Sequence, residues 1–327
     1  MFARVQKVGI ISSLGKVSVG LIIASFAVDI AHGQGNNLFT SSSDTSNTAG
    51  VLGSAKRDST SSGPAYASQL KWYDMFAKIP GDWARYSEGT FRADNIPAIL
   101  GMAAVTAGLI ATDYETWQLE KRWYEQSPPF RTVSDMFVFT GDGKFQFGIV
   151  GLFAAYGLAF DDTRALRTAS QTTEAILACG VVVQLLKHIT GRESPYVSTE
   201  RTGAWRFFPN QLDYIRHVPN YDAFPSGHIA TAMTTLIVIS ENYPEVKWLR
   251  PAGFVALGVI SSSLVATGIH WWSDIPLGLA LGYSFGELAS RSGDLKIAKN
   301  SSWSGFRLSM SPVLLTGGAG IGITMSF

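Results

Sequence analysis

The chain has 327 residues, 46% of them hydrophobic and 16% charged, with a mean hydropathy of +0.14 and a formal net charge of +1. Low charge with high apolar content excludes a disordered chain, a collagen and a coiled coil, and the balanced charge offers no field for nucleic acid. One cysteine, Cys179, lies inside the apolar run AILACGVVV, which excludes a disulfide framework and a multi-cysteine metal centre and reads as core.

In chain order, residues 1–33 read as an export signal. Arg4, Lys7 and Lys16 precede the apolar run 17–28, and Ala31 and Gly33 suit cleavage before Gln34. The run is 12 residues long, short of the ~20 that a spanning helix needs. Residues 34–64 are Ser, Gly, Asn and Thr with almost nothing to bury, the composition of a flexible linker. Order is expected from about Tyr66, with Leu70, Tyr73, Phe76 and Ala77 forming a short amphipathic helix stopped by Pro80 and Gly81.

Six apolar segments follow, at 95–112, 145–160, 169–190, 228–240, 250–269 and 275–289. Rich in Gly and Ala and without apolar/polar alternation, they predict helices, hence an all-α bundle of about six core helices over residues 65–292. Gly278, Gly282 and Gly286 form a stripe of small residues that lets a second helix approach closely. Glu174 and Gln184 interrupt the third segment, and Ser240-Glu241-Asn242 closes the fourth early. Uninterrupted apolar length suits a span only in the first and fifth segments, and the shorter runs favour core helices, so a soluble periplasmic bundle is expected ahead of an integral membrane protein whose site faces the periplasm. Arg291, Lys296 and Lys299 after the last segment argue the other way, as a positive-inside flank. In the tail, 293–327, Ile321, Ile323, Met325 and Phe327 alternate with small or polar residues after the turn TGGAG, which predicts a β-hairpin packed against the bundle. Two strands cannot close a barrel.

Three segments carry chemistry. In FPSGHIATA (224–232), Pro225 suits a first helical turn, and Ser226, Gly227 and His228 open a helix whose free N–H groups make an anion site. In GIHWWSDIP (268–276), His270 and Asp274 stand four apart, so a helical backbone lets the carboxylate bond one ring nitrogen and leave the other as base or nucleophile. KHITGRESP (187–195) clusters Lys187, His188 and Arg192 at a helix end. Alone, the first reads equally as an ordinary cap or as an anion site, the second as a satisfied histidine beside a capping aspartate, and the third as a solvated basic end. Together they supply cations, an anion-binding helix start, an acid and a nucleophile, which is what holding and transferring a phosphoryl group requires.

The order and spacing of these segments resemble the type 2 phosphatidic acid phosphatase / vanadium haloperoxidase superfamily, whose pattern is K-x6-R-P, then P-S-G-H, then S-R-x5-H-x3-D. The resemblance covers roughly residues 95–290. It implies that His270 attacks phosphorus to form a phosphohistidine, that Asp274 orients it, and that His228 protonates the leaving oxygen and then activates water. It further implies that Ser226 and Gly227 bind phosphate oxygens, together with Lys187, eight residues before Pro195, and Arg192, the first arginine of a G-R-x-R-P variant. Two positions depart from the pattern: Ser194 stands for the arginine before the motif proline, and Leu264 for the arginine after Ser263. A charged hydrogen bond to phosphate is worth about 1.5–3 kcal/mol, so both losses weaken transition-state binding unless Arg192, Arg201, Arg206 or Arg216 compensates.

A phosphomonoesterase is therefore expected, acting on a phosphorylated small molecule or lipid headgroup, with membrane contact allowed, no nucleic-acid partner, no metal and no cofactor. Vanadate enters as an inhibitor. It would be a cofactor only under the alternative of a vanadium-dependent haloperoxidase with His270 as its axial ligand. A third alternative, prompted by the two departures, is a catalytically silent binding or scaffold protein.

Overall fold

The structure, a computed structural model, describes residues 73–291 in full and 307–315 and 318–326 as backbone. The expected export signal (1–33), the linker (34–64), Lys296 and Lys299 lie outside the described residues. Among the described residues ten α-helices and two strands follow in order: α1 Asp74–Ala77, α2 Ile79–Thr90, α3 Ile96–Gln126, α4 Pro128–Gly141, α5 Gly143–Ala159, α6 Thr163–Thr190, α7 Gln211–Arg216, α8 Gly227–Asn242, α9 Leu249–Ala266, α10 Ile275–Arg291, then β1 Arg307–Leu315 and β2 Gly318–Ser326. The strands pair antiparallel with Leu315 opposite Gly318 and Arg307 opposite Ser326, the hairpin that the alternation predicted.

Local chemistry sets the boundaries. Asp162 caps α6 by accepting from the N–H groups of Arg164 and Ala165, and Gly191 ends it in the left-handed conformation (φ +53). A Cβ at Gly191 would meet the Arg206 carbonyl oxygen at 2.1 Å, so glycine is required there on two counts. Ser127 and Asp142 cap α4 and α5. Pro80 and Gly81 do not stop a helix as expected. Pro80 lies in the first turn of α2, where its missing N–H costs nothing. The first apolar segment also runs on to Gln126, and α4 is an addition to the six expected, because its Pro128-Pro129 start is a helix opening rather than a break.

The interior is built by α6, α8, α9 and α10. Ile229, Met233, Leu236, Ile237, Leu257, Ile260, Leu264 and Ile275 form one apolar cluster, and Ala178, Cys179, Val183, Ala230, Leu281 and Phe285 a second. The glycine stripe lies directly on α8. A Cβ at Gly278 would meet the Ser226 carbonyl at 2.7 Å, and one at Gly282 the Ala230 carbonyl at 2.3 Å.

The outer helices invert this pattern. The buried residues of α3 are Gly101, Asp113 and Glu120, those of α4 Ser134 and Gly141, and those of α5 Gln146 and Gly157. Their exposed residues include Ile99, Leu100, Trp123, Met136, Phe139, Phe147, Leu152 and Leu158. Polar groups inward and large apolar groups outward is the distribution that suits lipid, not water. Among the described residues three stretches, Ala93–Gln126, Thr163–Thr190 and Leu249–Ala266, are long and apolar enough to cross a membrane, and only 6% of the most apolar window of the first is buried. Glu174, which seemed to disqualify the third apolar segment, is fully buried and faces Lys78 at 3.7 Å, so it never meets lipid. These surfaces are those of a membrane-associated bundle, and they overturn the preference for a freely soluble one.

Candidate active site

Two histidines meet at the junction of α8 and α10. His228 Nδ1 lies 3.3 Å from His270 Nε2, with the rings edge to face. His228 stands in the first turn of α8, capped by Ser226, whose Oγ accepts from the Ile229 N–H at 3.4 Å. Pro225 precedes that cap rather than entering the helix. The Ser226 N–H donates to the Asp274 carbonyl at 3.0 Å, which ties the start of α8 to the turn before α10. Glycine at 227 leaves that turn open toward the Lys187 side chain: a Cβ there would come within 3.8 Å of Lys187 Nζ. Lys187, 5% exposed near the end of α6, pairs with Asp222 at 3.3 Å.

His270 is 2% exposed. Its Nδ1 lies 2.8 Å from the Ala223 carbonyl oxygen and 3.5 Å from Asp274 Oδ2. A carbonyl can only accept, so Nδ1 carries the proton, and Nε2, turned toward His228, keeps its lone pair. Asp274 is within reach of the same nitrogen, but its shorter bonds go elsewhere. Its Oδ2 accepts from the Trp271 N–H at 2.7 Å and its Oδ1 from Arg192 Nη1 at 2.5 Å.

Arg192 is fully buried. Nη1 donates to Asp274 and to Ser273 Oγ, Nη2 to Asp113 Oδ2 and the Thr202 carbonyl, and Nε alone has no partner. The guanidinium is thus held between two carboxylates and is not extended toward the histidine pair. Two of the other arginines considered as substitutes are also engaged: Arg201 pairs with Glu115, and Arg206 with Glu193 at 2.7 Å. Arg216 is exposed at the end of α7. Leu264 is fully buried in the main apolar cluster, and Ser194 is 2% exposed. His188 stacks on Tyr214 and bonds Gln211, among groups away from the histidine pair.

Burial pushes the His228 imidazole down to about 3, with the neighbouring His270 and Lys187 adding to the effect. The ring is therefore neutral near neutral pH. Among the described residues no cluster of three or more His, Cys, Asp or Glu side chains is placed to hold a metal ion. An open cavity of about 400 Å³, lined by Tyr114, Trp117, Ser198, Thr199, Glu200 and Arg201, does not include the histidines. It is one aromatic layer away, since Trp117 packs edge-on against Trp271 at 5.6 Å.

Sequence reasoning assembled His228, His270, Asp274, Lys187, Arg192, Ser226 and Gly227, and missed Asp113, Asp222, Ser273 and the Ala223 carbonyl. Asp113 did have a signal, as the first charged residue after an uncharged run from 95 to 112. A backbone carbonyl has none.

A family model described as the PAP2 superfamily matches residues 170–296, the stretch holding all three motif segments. Two solved structures are similar to the chain. One is Aquifex aeolicus LpxE, with a TM-score of 0.41 and 20% identity, over 54% of this chain and 93% of that one. The other is the first transmembrane PAP2 type phosphatidylglycerolphosphate phosphatase from Bacillus subtilis, with a TM-score of 0.41 and 15% identity, over 71% and 100%. No curated protein matches the sequence.

Proposed function

We propose that this protein is a membrane-embedded phosphatase that hydrolyses phosphomonoesters, lipid phosphates among them, through a phosphohistidine on His270. The observation that carries the reading is the 3.3 Å approach of His228 to His270 Nε2 beside Lys187 and the start of α8. A phosphoryl group seated there meets a nucleophile with a free lone pair, a cation and unpaired backbone N–H groups. Attack by Nε2 forms an N–P bond while the ester C–O–P oxygen leaves with a proton from His228. Water, deprotonated by the same ring, then cleaves the N–P bond and releases inorganic phosphate. No metal or other cofactor enters these steps, and vanadate is an inhibitor. His228 by itself is neutral near neutral pH, so the proton it donates must arrive with the substrate, whose negative charge favours the imidazolium.

The lipid-facing surfaces of α3, α4 and α5 support a substrate delivered from the bilayer, and the export signal read at 1–33 supports a site on the periplasmic side. The test is phosphate release from a phosphatidate and from a chromogenic ester, with His270→Ala alongside. Release that disappears with His270 supports the reading, and release that persists in His270→Ala overturns it.

A further inference from the structure

Asp113 stands on α3, far in sequence from the motifs, yet it is fully buried beside them. Its Oδ2 accepts from Arg192 Nη2 at 2.7 Å and from Ser273 Oγ at 2.5 Å, and its Oδ1 from the Ser273 N–H at 3.1 Å. The same arginine donates to Asp274 Oδ1 at 2.5 Å through its other terminal nitrogen. Its backbone carbonyl also accepts from the Ala223 N–H at 3.0 Å. Ala223 and Asp274 are the two acceptors facing His270 Nδ1, at 2.8 and 3.5 Å. Arg192 is therefore the hub that places both, and Asp113 is the second carboxylate that keeps its fork from turning away.

We infer that Asp113 is a positioning residue of this site: through Arg192 it holds the acceptors of His270 Nδ1, and so keeps Nε2 the unprotonated atom facing His228. A buried guanidinium bonded to one carboxylate retains freedom about its stem, whereas one bridging two carboxylates from different elements has a single orientation. Ser273, bonded to both Asp113 and Arg192, closes the ring. This assignment also explains why Arg192 does not reach the phosphoryl position: all four of its terminal N–H groups are taken. The inference rests on the phosphatase reading for its consequence in turnover, but not for its geometry.

The experiment compares wild type with Asp113→Asn in detergent, by steady-state kinetics and by ring-nitrogen NMR of His270, assigned through His270→Asn. Asparagine removes the charge that pairs with Arg192, and with one oxygen in place of two it puts an NH2 donor where either the Ser273 N–H or the Arg192 and Ser273 Oγ bonds need an acceptor. The expected result is a kcat lower by about 10²–10⁴-fold, with KM within about threefold because Lys187 and the α8 start are untouched, and a His270 ring that populates both tautomers. A purely structural Asp113 would lower the amount of folded protein and leave the tautomer and kcat per folded molecule unchanged, which overturns the inference. Should Asp113→Asn fail to fold, Ser273→Ala removes only the bridging hydroxyl, and it must lower kcat and loosen the tautomer in the same sense. An unchanged tautomer in Ser273→Ala also overturns it. A wild-type protein that forms no phosphohistidine would overturn the phosphatase reading, while the tautomer comparison still decides the part of Asp113.

Discussion

At the scale of single residues, the proposed mechanism gives the loss of His228 and of His270 different consequences. Under it, His270→Ala removes the attacking nitrogen and should abolish phosphoenzyme and turnover together. His228→Ala removes the acid, so alkyl esters, with poor leaving groups, should lose about 10²–10⁴-fold more than aryl esters. Equal losses would contradict the assignment. The depressed His228 adds a linkage effect with a definite sign. The free ring, at about 3, holds no proton near neutrality, and a phosphate dianion beside it favours the charged form. Binding of inorganic phosphate or vanadate should therefore take up a proton, seen as a buffer-dependent heat in calorimetry and absent in His228→Asn. Leu264 carries the opposite lesson. An arginine at the family position, attractive on sequence alone, would enter an apolar cluster of Ile229, Ile260 and Ile275. An unpaired buried charge costs about 3–5 kcal/mol, so Leu264→Arg should lower the thermal midpoint sharply while Leu264→Met leaves it nearly unchanged. A stable Leu264→Arg with tighter vanadate binding would show that the phosphoryl group reaches that side chain.

At the scale of elements, the site depends on how closely α10 lies on α8. The Thr234 hydroxyl donates to the Gly282 carbonyl at 3.2 Å, a bond possible only because no side chain stands between the helices. Gly282→Ala would put a Cβ 2.3 Å from the Ala230 carbonyl and 2.8 Å from Met233 Cβ. Overpacking of this kind costs about 1–3 kcal/mol. Because the same contact carries the bond from Ser226 to Asp274, Gly282→Ala should lose activity beyond its loss of stability. Gly258→Ala on α9, where an added Cβ meets nothing within 4 Å, is the control and should be neutral or stabilising by up to about 1 kcal/mol. The glycine stripe was legible in the sequence as a close helix contact. Its partner was not, since small residues announce proximity without naming the neighbour.

At the scale of the whole molecule, the inverted outer helices predict behaviour in bulk. The protein should sediment with membranes, resist alkaline carbonate extraction and require detergent. Ala107→Asp, on the exposed face of α3, discriminates most sharply. In lipid the aspartate costs about 2.5–3.5 kcal/mol near a span centre, and the variant should insert poorly. On a water-facing helix it would be nearly silent. Proteolysis of sealed vesicles at the 196–224 loop reports which side the site faces, and cleavage from the cytoplasmic side alone would rule out a periplasmic site.

The sequence by itself determined the helical class and the pairing of PSGH with H-x3-D, and it singled out His228, His270, Asp274 and Lys187 as candidates. These are local patterns, since helix starts, four-residue spacings and capping residues act within a turn or two of themselves. The tertiary structure decided the rest. Apolar runs are equally at home in a core or in lipid, so only the burial of Asp113, Glu120 and Gln146 opposite exposed Leu100, Phe139 and Leu152 showed which way the outer helices face. Arg192 read as a phosphate ligand through its match to the G-R-x-R-P variant, whereas the two carboxylates that hold it, Asp113 and Asp274, come from α3 and the turn before α10, 79 and 82 residues away. A charge is a property of one residue, but its partner is settled by whichever opposite charge folding buries beside it, where neither can return to water.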